Sequence, residues 1–317
     1  MGSGFTGPPR YTRAILATMS SWFEGPFPAP PMPESRPFAE ATVRLRWEDV
    51  AQDGRILLTA LAPAIDWTVW NGLLKDQPGV VEAEKQGLVA ILSRISAEGT
   101  DEPIRVIEPV TARGTYELSH SVDERGEVDR LFMNAWVDVR GVRGRIYPPE
   151  SGPEVPAGKI FVEHTFTRLF GPPEQRRITK LDVKGLPPVP PARYAAPGFA
   201  TAMEVPAGAT ALDDAYVSDP NVTCFGLEHT DSNQHVNSLV YPRLFAEAAL
   251  RRLDAMGRNR VVLVRSLDIA YRKPSFAGDR VQVHIKMFES GGKVGAAGYL
   301  AAEGEAKPRV CARILLA

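Results

Sequence analysis

The stretch "HTDSNQHVNSLVYPRLFAEAALRRL", residues 229–253, joins a polar cluster directly to an apolar helical pattern. Asp231, Asn233 and His235 alternate, so in an extended chain their side chains would project to the same side. A helix start beside them offers unpaired backbone N–H groups, which can hold the oxyanion of an attacked carbonyl. A carboxylate, an imidazole and a carboxamide near such donors favour acyl-transfer chemistry. Asn and Ser before a helix are also ordinary capping residues, so a purely structural interpretation stays open.

Strand patterns surround the helix that follows this cluster. Apolar residues from Leu239 to Leu253 recur on one broad face, which predicts a buried helix ending near Gly257. Pro242 has no N–H, which indicates either an irregular first turn or a regular helix that starts close to it. The turn "ESGGK" predicts a hairpin between two of the later strands. The predicted strands are residues 221–228, 261–272, 280–289, 293–302 and 309–316. One antiparallel sheet packed on one helix is an α+β arrangement.

The N-terminal half shows a looser version of the same order. Alternation in "TVRLRW", residues 42–47, predicts a half-buried strand, and "RILLTAL", residues 55–61, predicts another. The spacing of Val81, Leu88, Leu92 and Ile95 predicts a helix near 80–97. Strands are expected at residues 104–111, 115–122, 128–139, 159–170 and 176–183. The tryptophans expected to fill this core are Trp47, Trp67, Trp70 and Trp136. No residue-level repeat links the halves, so a duplication is inferred from element order alone, with sheets that could pair at their edges.

Proline-rich segments mark the expected boundaries. Residues 1–37 end in "PFPAPPMPESRP" and form an N-terminal extension, in which residues 11–23 could form a short helix. The segment "GLPPVPPARYAAPG", residues 185–198, predicts a stiff linker. We therefore expect a first, degenerate domain over residues 38–184 and a second domain, which carries the site, over residues 199–317.

Composition excludes several classes of partner. The 317 residues are 44% hydrophobic and 24% charged, with a formal net charge of −1, which predicts neither nucleic acid nor a membrane surface as partner. No apolar run approaches the ~18 residues of a membrane span, and no secretory signal pattern begins the chain, so a cytoplasmic protein is expected. Cys224 and Cys311 are too few for a disulfide framework, and no histidine pair has metal-ligand spacing. No cofactor and no metal are expected.

The run "DSNQHVNSLVY", residues 231–241, resembles the signature of hotdog-fold thioesterases, above all the fatty acyl-ACP (acyl carrier protein) thioesterases. Their pattern is Asp-x-Asn-x-His-Val-Asn-Asn-x-x-Tyr at the start of a central helix, with a glutamate further along it. "YRKPSFAGDRV", residues 271–281, is similar to a second strand-pair motif of that family. The resemblance covers about residues 220–317. The matching residues are Asp231, Asn233, His235, Val236, Asn237, Tyr241 and Glu247.

This resemblance implies a double hotdog that hydrolyses an acyl-CoA or acyl-ACP thioester. It implies Asp231, Asn233 and His235 as catalytic residues, with Asp231 activating water or attacking the carbonyl. Asn237, Tyr241 and Glu247 would bind substrate, and apolar residues such as Val236, Val240 and Phe245 would shape an acyl tunnel. A homodimer is left open.

Two departures from the pattern of the thioesterase family keep other functions open. Ser238 stands where the family has a second asparagine, and Pro274 and Ser275 stand where the plant enzymes have a glutamate–cysteine pair. One alternative is a double-hotdog acyltransferase or decarboxylase acting on carrier-bound groups in a polyketide-type pathway. Another is a non-catalytic acyl-binding module. His229 is expected to pair with backbone at a strand end, and His164 to be structural.

Overall fold

A computed structural model of the chain describes residues 22–168, 172, 175–305 and 307–317. Of the short helix expected over residues 11–23, all but Trp22 and Phe23 lie outside the described residues, and these two lie in a bend. Within the described part of the chain, no helix is long and apolar enough to cross a membrane.

Twelve strands form one open, almost entirely antiparallel sheet in the described part of the chain. In the first half they are β1 (Ala39–Val43), β2 (Leu88–Gly99), β3 (Val110–Val122), β4 (Val128–Arg145) and β5 (Glu150–Arg168). Two short strands follow, β6 (Ala192–Arg193) and β7 (Thr210–Ala211). The second half contributes β8 (Val217–Cys224), β9 (Val264–Tyr271), β10 (Arg280–Ser290), β11 (Lys293–Ala302) and β12 (Val310–Leu316).

The two halves share one topology. Neighbouring strands are ordered β1-β3-β4-β5-β2 in the first half and β8-β10-β11-β12-β9 in the second, which is the same connection pattern. The halves meet where β2 pairs antiparallel with β9, from Arg94 opposite Ala270 to Glu98 opposite Ser266. This pairing removes an exposed edge from each half, which is the edge pairing expected from the sequence.

The helix of the second half lies where its periodicity predicted. This helix is α3, Val240–Ala255, and two helices precede it in the chain, α1 (Pro63–Ile65) and α2 (Pro78–Lys85). A π-helix, Asp66–Leu74, continues α1 directly. Helix α3 buries one face against its sheet, with Pro242 in its first turn. The α3 side chains in that core include Tyr241, Phe245, Ala248, Ala249 and Leu253.

The helix expected over residues 80–97 is present only as far as Lys85 and is wrong beyond it. Helix α2 ends at Lys85, Gly87 adopts a φ of 68°, and β2 begins at Leu88. Leu88 and Leu92 are four residues apart, a spacing that fits one face of a helix and one face of a strand equally well. The helix of this half is instead α1 with the π-helix.

Three strand predictions of the first half are also corrected. The run "RILLTAL" contains a 3-10 helix, Leu58–Leu61, and only the last two residues of the run 104–111 belong to a strand. That strand is β3, which contains the whole run 115–122 as predicted. Residues 176–183 form no strand, although Ile178, Leu181 and Val183 are buried. The alternating apolar residues of this run are buried but do not pair with a neighbouring strand.

The tryptophans divide between core and surface. Trp136 is 1% exposed, whereas Trp47 and Trp67 are 66% and 58% exposed, so the expectation that all four fill the core is wrong for these two. Trp70 is half-buried at the edge of a cavity.

Candidate functional site

The motif that precedes α3 forms a tight reverse turn. The Asp231 N–H donates to the His235 carbonyl over 3.1 Å, and the Asn237 N–H donates to the His229 carbonyl over 2.9 Å. Gln234 closes the turn with a φ of 63°, in the left-handed region. Asp231, Asn233 and His235 therefore do not project together from an extended chain. The reason is local: the Asn233 N–H donates to Asp231 Oδ1 over 2.9 Å, an Asx-turn that reverses the backbone.

Asn237 links this turn to the helix. Its Nδ2 donates to Asp231 Oδ2 over 3.0 Å, while its own Oδ1 accepts from the Leu239 N–H over 2.9 Å. The Asn237 carbonyl accepts from the Val240 N–H over 3.0 Å. One side chain thus satisfies a donor at the helix start and orients the carboxylate. The capping and the site-building interpretations of Asn237 are both correct descriptions of its contacts.

Few amides at the helix start remain free to bind a substrate carbonyl. The N–H groups of Leu239 and Val240 donate to Asn237 Oδ1 and to the Asn237 carbonyl, and Pro242 has no N–H. The Ser238 N–H, just before them, has no hydrogen-bond partner among the described residues. This amide is one donor that remains available at the helix start.

The two imidazoles of the motif hold opposite tautomers when neutral. His235 is half-buried, and its Nδ1 lies 3.2 Å from the Val236 carbonyl oxygen, so Nδ1 carries the proton and Nε2 is left as an acceptor. His229 Nδ1 accepts from the Gly226 N–H over 2.9 Å, so its proton lies on Nε2. His229 pairs with backbone as expected, but it ends a 3-10 helix, Leu227–His229, rather than a strand.

The remaining site candidates are not gathered around the carboxylate. The Asn233 side chain is exposed, while Tyr241 is buried and its hydroxyl accepts from the Ser275 N–H over 3.3 Å. Burial raises the pKa of Tyr241. The Glu247 side chain is 46% exposed and lies 3.8 Å from Arg251 on the outer face of α3. The turn thus joins the Asp231 and Asn237 side chains and binds His235 to Asp231 through the backbone, and it leaves Tyr241 and Glu247 with structural contacts.

An apolar cavity of about 150 Å³ lies in the first half of the chain, between its helices and its sheet. Its walls include Leu88, Val89 and Ala90, at the start of β2. Because β2 runs antiparallel to β9, the residues before Arg94 extend past the end of β9 at Tyr271. The Tyr271 hydroxyl donates to the Ser238 carbonyl over 3.0 Å, so the motif and the cavity lie at the same end of the β2–β9 junction.

The residues expected to shape a tunnel, Val236, Val240 and Phe245, lie apart from this cavity. Val236 and Phe245 are 2% and 1% exposed and pack in the core, and none of the three lines the cavity. The sequence could not place the cavity, because its walls come from the other half of the chain.

Searches of family models and of curated proteins found no match to the sequence. Solved structures do match along most of the chain. A Lactobacillus plantarum protein assigned as an oleoyl thioesterase is 13% identical, with a TM-score of 0.58, covering 89% of this chain and 96% of its own. The acyl-ACP thioesterase of Bacteroides thetaiotaomicron is 14% identical, with a TM-score of 0.55, covering 88% and 98%. The 12:0-ACP thioesterase of Umbellularia californica is 14% identical, with a TM-score of 0.53, covering 88% and 97%.

This chain has the double-hotdog fold. The full-length matches and the repeated strand order agree on two hotdogs in tandem, so the α+β class predicted from the sequence is confirmed. The motif lies in the second hotdog and the apolar cavity in the first.

A polar cluster that the sequence did not predict contacts the motif of the second hotdog. It is formed by the β9–β10 connection and by Arg309, just before β12. The Val236 N–H donates to the Ser275 carbonyl over 2.8 Å, and Arg309 donates to Ser275 Oγ over 3.2 Å. Arg309 also binds both carboxylate oxygens of Glu305 and contacts Asp279. Hydrogen bonds from Arg309 and Lys273 lower the pKa of Glu305 to about 2. Arg309 thus anchors the β9–β10 connection.

The residues that the structure describes form no cluster of metal ligands. Over residues 22–168, 172, 175–305 and 307–317, no group of three or more His, Cys, Asp or Glu side chains could hold a metal ion.

Proposed function

We propose that this double hotdog hydrolyses acyl thioesters of coenzyme A or of an acyl carrier protein. The observation that carries the proposal is the Asp231 carboxylate, half-buried and held at the start of α3 at the same end of the β2–β9 junction as an apolar cavity. The full-length structural neighbours include two acyl-ACP thioesterases, which supports a carrier-bound thioester as the substrate class.

The contacts of Asp231 suit a base or a nucleophile. Each carboxylate oxygen accepts one hydrogen bond, from the Asn233 N–H or from Asn237 Nδ2, and each keeps a further lone pair. In the proposed reaction, Asp231 accepts a proton from the water that attacks the thioester carbon, and the C–S bond breaks to release the thiolate. Alternatively, Asp231 attacks that carbon itself, the thiolate leaves, and water then hydrolyses the acyl anhydride to free acid and Asp231. The Ser238 N–H and the exposed Asn233 carboxamide donate to the carbonyl oxygen.

His235 has a complementary role in this proposal. Its Nε2 is free to accept a proton, since Nδ1 is directed at the Val236 carbonyl. Once protonated, the imidazole can pass that proton to the departing thiolate. A thiol with an ordinary pKa of about 8.5 is already a good leaving group, so this transfer contributes less than activation of the water.

Substitution of Asp231 tests the proposal. Asp231→Asn keeps the size of the side chain but removes the base, and we expect kcat for acyl-CoA hydrolysis to fall by about 10²- to 10⁴-fold. Thiol release measures the rate, and circular dichroism checks the fold. Asp254→Asn is the matched control, because Asp254 is an exposed α3 carboxylate paired with Arg260. An Asp231→Asn protein that keeps most of the wild-type rate would remove Asp231 from this role.

A non-catalytic acyl-binding module is the second candidate. It is favoured by the absence of an acid at Pro274 and Ser275 and by the two hydrogen bonds that already engage Asp231. Calorimetric binding of acyl-CoA without thiol release would support this module. Mass spectrometry of the products separates hydrolysis from acyl transfer or loss of carbon dioxide.

A further inference from the structure

The turn that holds Asp231 has a structural counterpart in the first hotdog, residues 46–57, here called the N-terminal turn. Its Ala51 N–H donates to the Arg55 carbonyl over 2.9 Å, where the Asp231 N–H donates to the His235 carbonyl over 3.1 Å. A 3-10 helix of three residues precedes the reversal in each hotdog. The two turns therefore have the same order of local structure.

The two turns also agree in backbone conformation. Gly54 has a φ of 89° in the N-terminal turn, where Gln234 has a φ of 63°. The Leu57 N–H donates to the Asp49 carbonyl over 2.9 Å, and the Asn237 N–H makes the equivalent bond in the second hotdog. The first hotdog thus contains a backbone copy of the turn that carries the motif.

The side chains of the copy differ where the proposed chemistry needs them. Ala51 stands at the position of Asp231, and Leu57 stands at the position of Asn237. The N-terminal turn therefore has neither the proposed base nor the carboxamide that orients it. A site next to this turn could bind a ligand, but the turn offers no carboxylate at that position to activate water.

A second cavity, of about 420 Å³, lies in the second hotdog, between the end of α3, the start of β11 and the end of β12. Its apolar walls are Leu253, Val262, Val294 and Leu316. An apolar cavity of about 150 Å³ accommodates benzene, with six carbon atoms, so this one has room for on the order of ten or more.

The N-terminal turn and the second cavity are neighbours. Arg55 Nη1 donates over 3.1 Å to the main-chain oxygen of Ala317, which lines the cavity. Arg265, near the start of β9, donates to the Ile56 carbonyl over 2.8 Å. The motif lies instead at the other end of β9, at Tyr271. The molecule thus repeats, at the opposite end of the β2–β9 junction, the combination of a turn from one hotdog and a cavity in the other.

Three exposed hydrogen-bond donors of the cavity lining have no partner among the described residues. They are the Lys293 ammonium group, Asn259 Nδ2 and the Gly292 N–H. Arg258 adds a fourth polar group, but its charge is paired with Glu289. A carboxylate only accepts hydrogen bonds, and its charge strengthens them, so it is the group that these donors suit.

We propose that the second cavity is a non-hydrolytic binding site for a free carboxylic acid with an apolar tail. The carboxylate is held by Lys293, Asn259 and Gly292, and the tail lies against Leu253 and Leu316. The choice of ligand rests on the thioesterase function above, because hydrolysis of an acyl thioester releases such an acid. The N-terminal turn next to the cavity has lost the carboxylate of the motif, so binding there is not followed by hydrolysis.

Calorimetric titration of the full chain with decanoate at neutral pH tests this site. Val294→Trp places an indole in the cavity from the start of β11, a strand position that suits an aromatic residue. Lys293→Glu replaces the cation by a like charge. We expect each substitution to weaken decanoate binding by about tenfold or more, because it removes apolar contact or a charged hydrogen bond. Decanol, which lacks the carboxylate, should bind the wild-type protein about tenfold more weakly than decanoate.

Two substitutions outside the cavity serve as matched controls. Val222→Trp adds the same side chain on β8, where Val222 is 46% exposed and does not line the cavity. Lys180→Glu makes the same change of charge at an exposed position of the first hotdog. Both should bind decanoate as the wild-type protein does.

The outcomes decide the proposal without reference to catalysis. No decanoate binding by the wild-type protein, or binding that neither Val294→Trp nor Lys293→Glu weakens, would overturn the second site; the latter result would place the acid elsewhere. Equal affinities for decanoate and decanol would overturn the assignment of the carboxylate. If Val294→Trp does not fold, Lys293→Glu decides alone. Absence of thiol release from every thioester would contradict the thioesterase function and leave the decanoate result standing.

Discussion

At the scale of single residues, Asn237 has two separable duties. Its Oδ1 accepts from the Leu239 N–H, which caps α3, and its Nδ2 donates to Asp231 Oδ2. The sequence could identify either duty as an interpretation, because Asn is common both in caps and in polar sites. Only the contacts show that one side chain performs both.

Substitutions of Asn237 can separate these duties. Ser is as good a cap as Asn, whereas Ala loses about 1 kcal/mol. We expect Asn237→Ser to keep nearly the wild-type free energy of unfolding but to lose activity, because the donor to Asp231 is gone. Asn237→Ala should lose both. Urea unfolding and thiol release measure the two properties, and full activity in Asn237→Ser would contradict the positioning role.

At the scale of elements, the connection between β9 and β10 decides how rigidly the motif is held. The Ser275 carbonyl binds the motif at Val236, and Arg309 holds Ser275 while pairing with Glu305. The end of β9 and the start of β12 thus meet next to the turn that holds Asp231. No local pattern predicts this contact, because Arg309 is distant in sequence from the motif and looks like an ordinary charged residue before a strand.

The ion pairs of Glu305 predict an acid-sensitive contribution to stability. Hydrogen bonds from Arg309 and Lys273 lower the pKa of Glu305 from 4.5 to about 2. A carboxyl group with a depressed folded-state pKa stabilises the protein fully above its unfolded value, and this stabilisation is lost as pH falls toward about 2. The difference in urea midpoint between wild type and Glu305→Gln should therefore be larger at about pH 6 than at about pH 3.

Glu303→Gln is the control for that experiment, because Glu303 is 70% exposed and pairs with Arg280. Exposed ion pairs contribute about 0–1 kcal/mol, so its effect should be small at both pH values. A midpoint difference for Glu305→Gln that did not change with pH would contradict the assignment.

At the scale of the whole molecule, the motif of one hotdog and the cavity of the other lie at the same end of the β2–β9 junction. A buried charged network lies on this junction: Arg94 binds both oxygens of Asp268 at 2.6 Å, and Arg313 donates to the same carboxylate over 2.9 Å. Arg94 and Asp268 are 3% and 2% exposed. The buried Arg94 and the partly buried Arg313 thus share the Asp268 carboxylate.

Removing that carboxylate charge should weaken the whole molecule. Breaking a buried ion pair by removing one partner costs about 3–5 kcal/mol, because the remaining charge is left uncompensated. We expect Asp268→Asn to lower the free energy of unfolding by about that amount, measured by urea denaturation. Asp254→Asn, at an exposed position of α3, serves as the control. A change below about 1 kcal/mol, the size expected for a surface pair, would show that the network is not needed.

The sequence by itself determined the second hotdog well. The strands β9 to β12 and helix α3 follow from apolar periods along the chain, and such periods are a local signal. In the first hotdog the same signal was ambiguous, because Leu88 and Leu92 fit a helix and a strand alike. Pairing of β2 with β5 and β9 decided in favour of the strand, and that pairing involves residues far apart in the chain.

The motif likewise divides into what its sequence predicted and what only the tertiary structure decided. Its residue types and spacing were sufficient to identify Asp231, His235 and Asn237 as candidates. The tertiary structure decided that the turn is closed, that Tyr241 and Glu247 lie outside it, and that the cavity belongs to the other hotdog. The physical reason is that hydrogen-bond partners and cavity walls are chosen by contacts between distant segments, which a pattern along one chain does not encode.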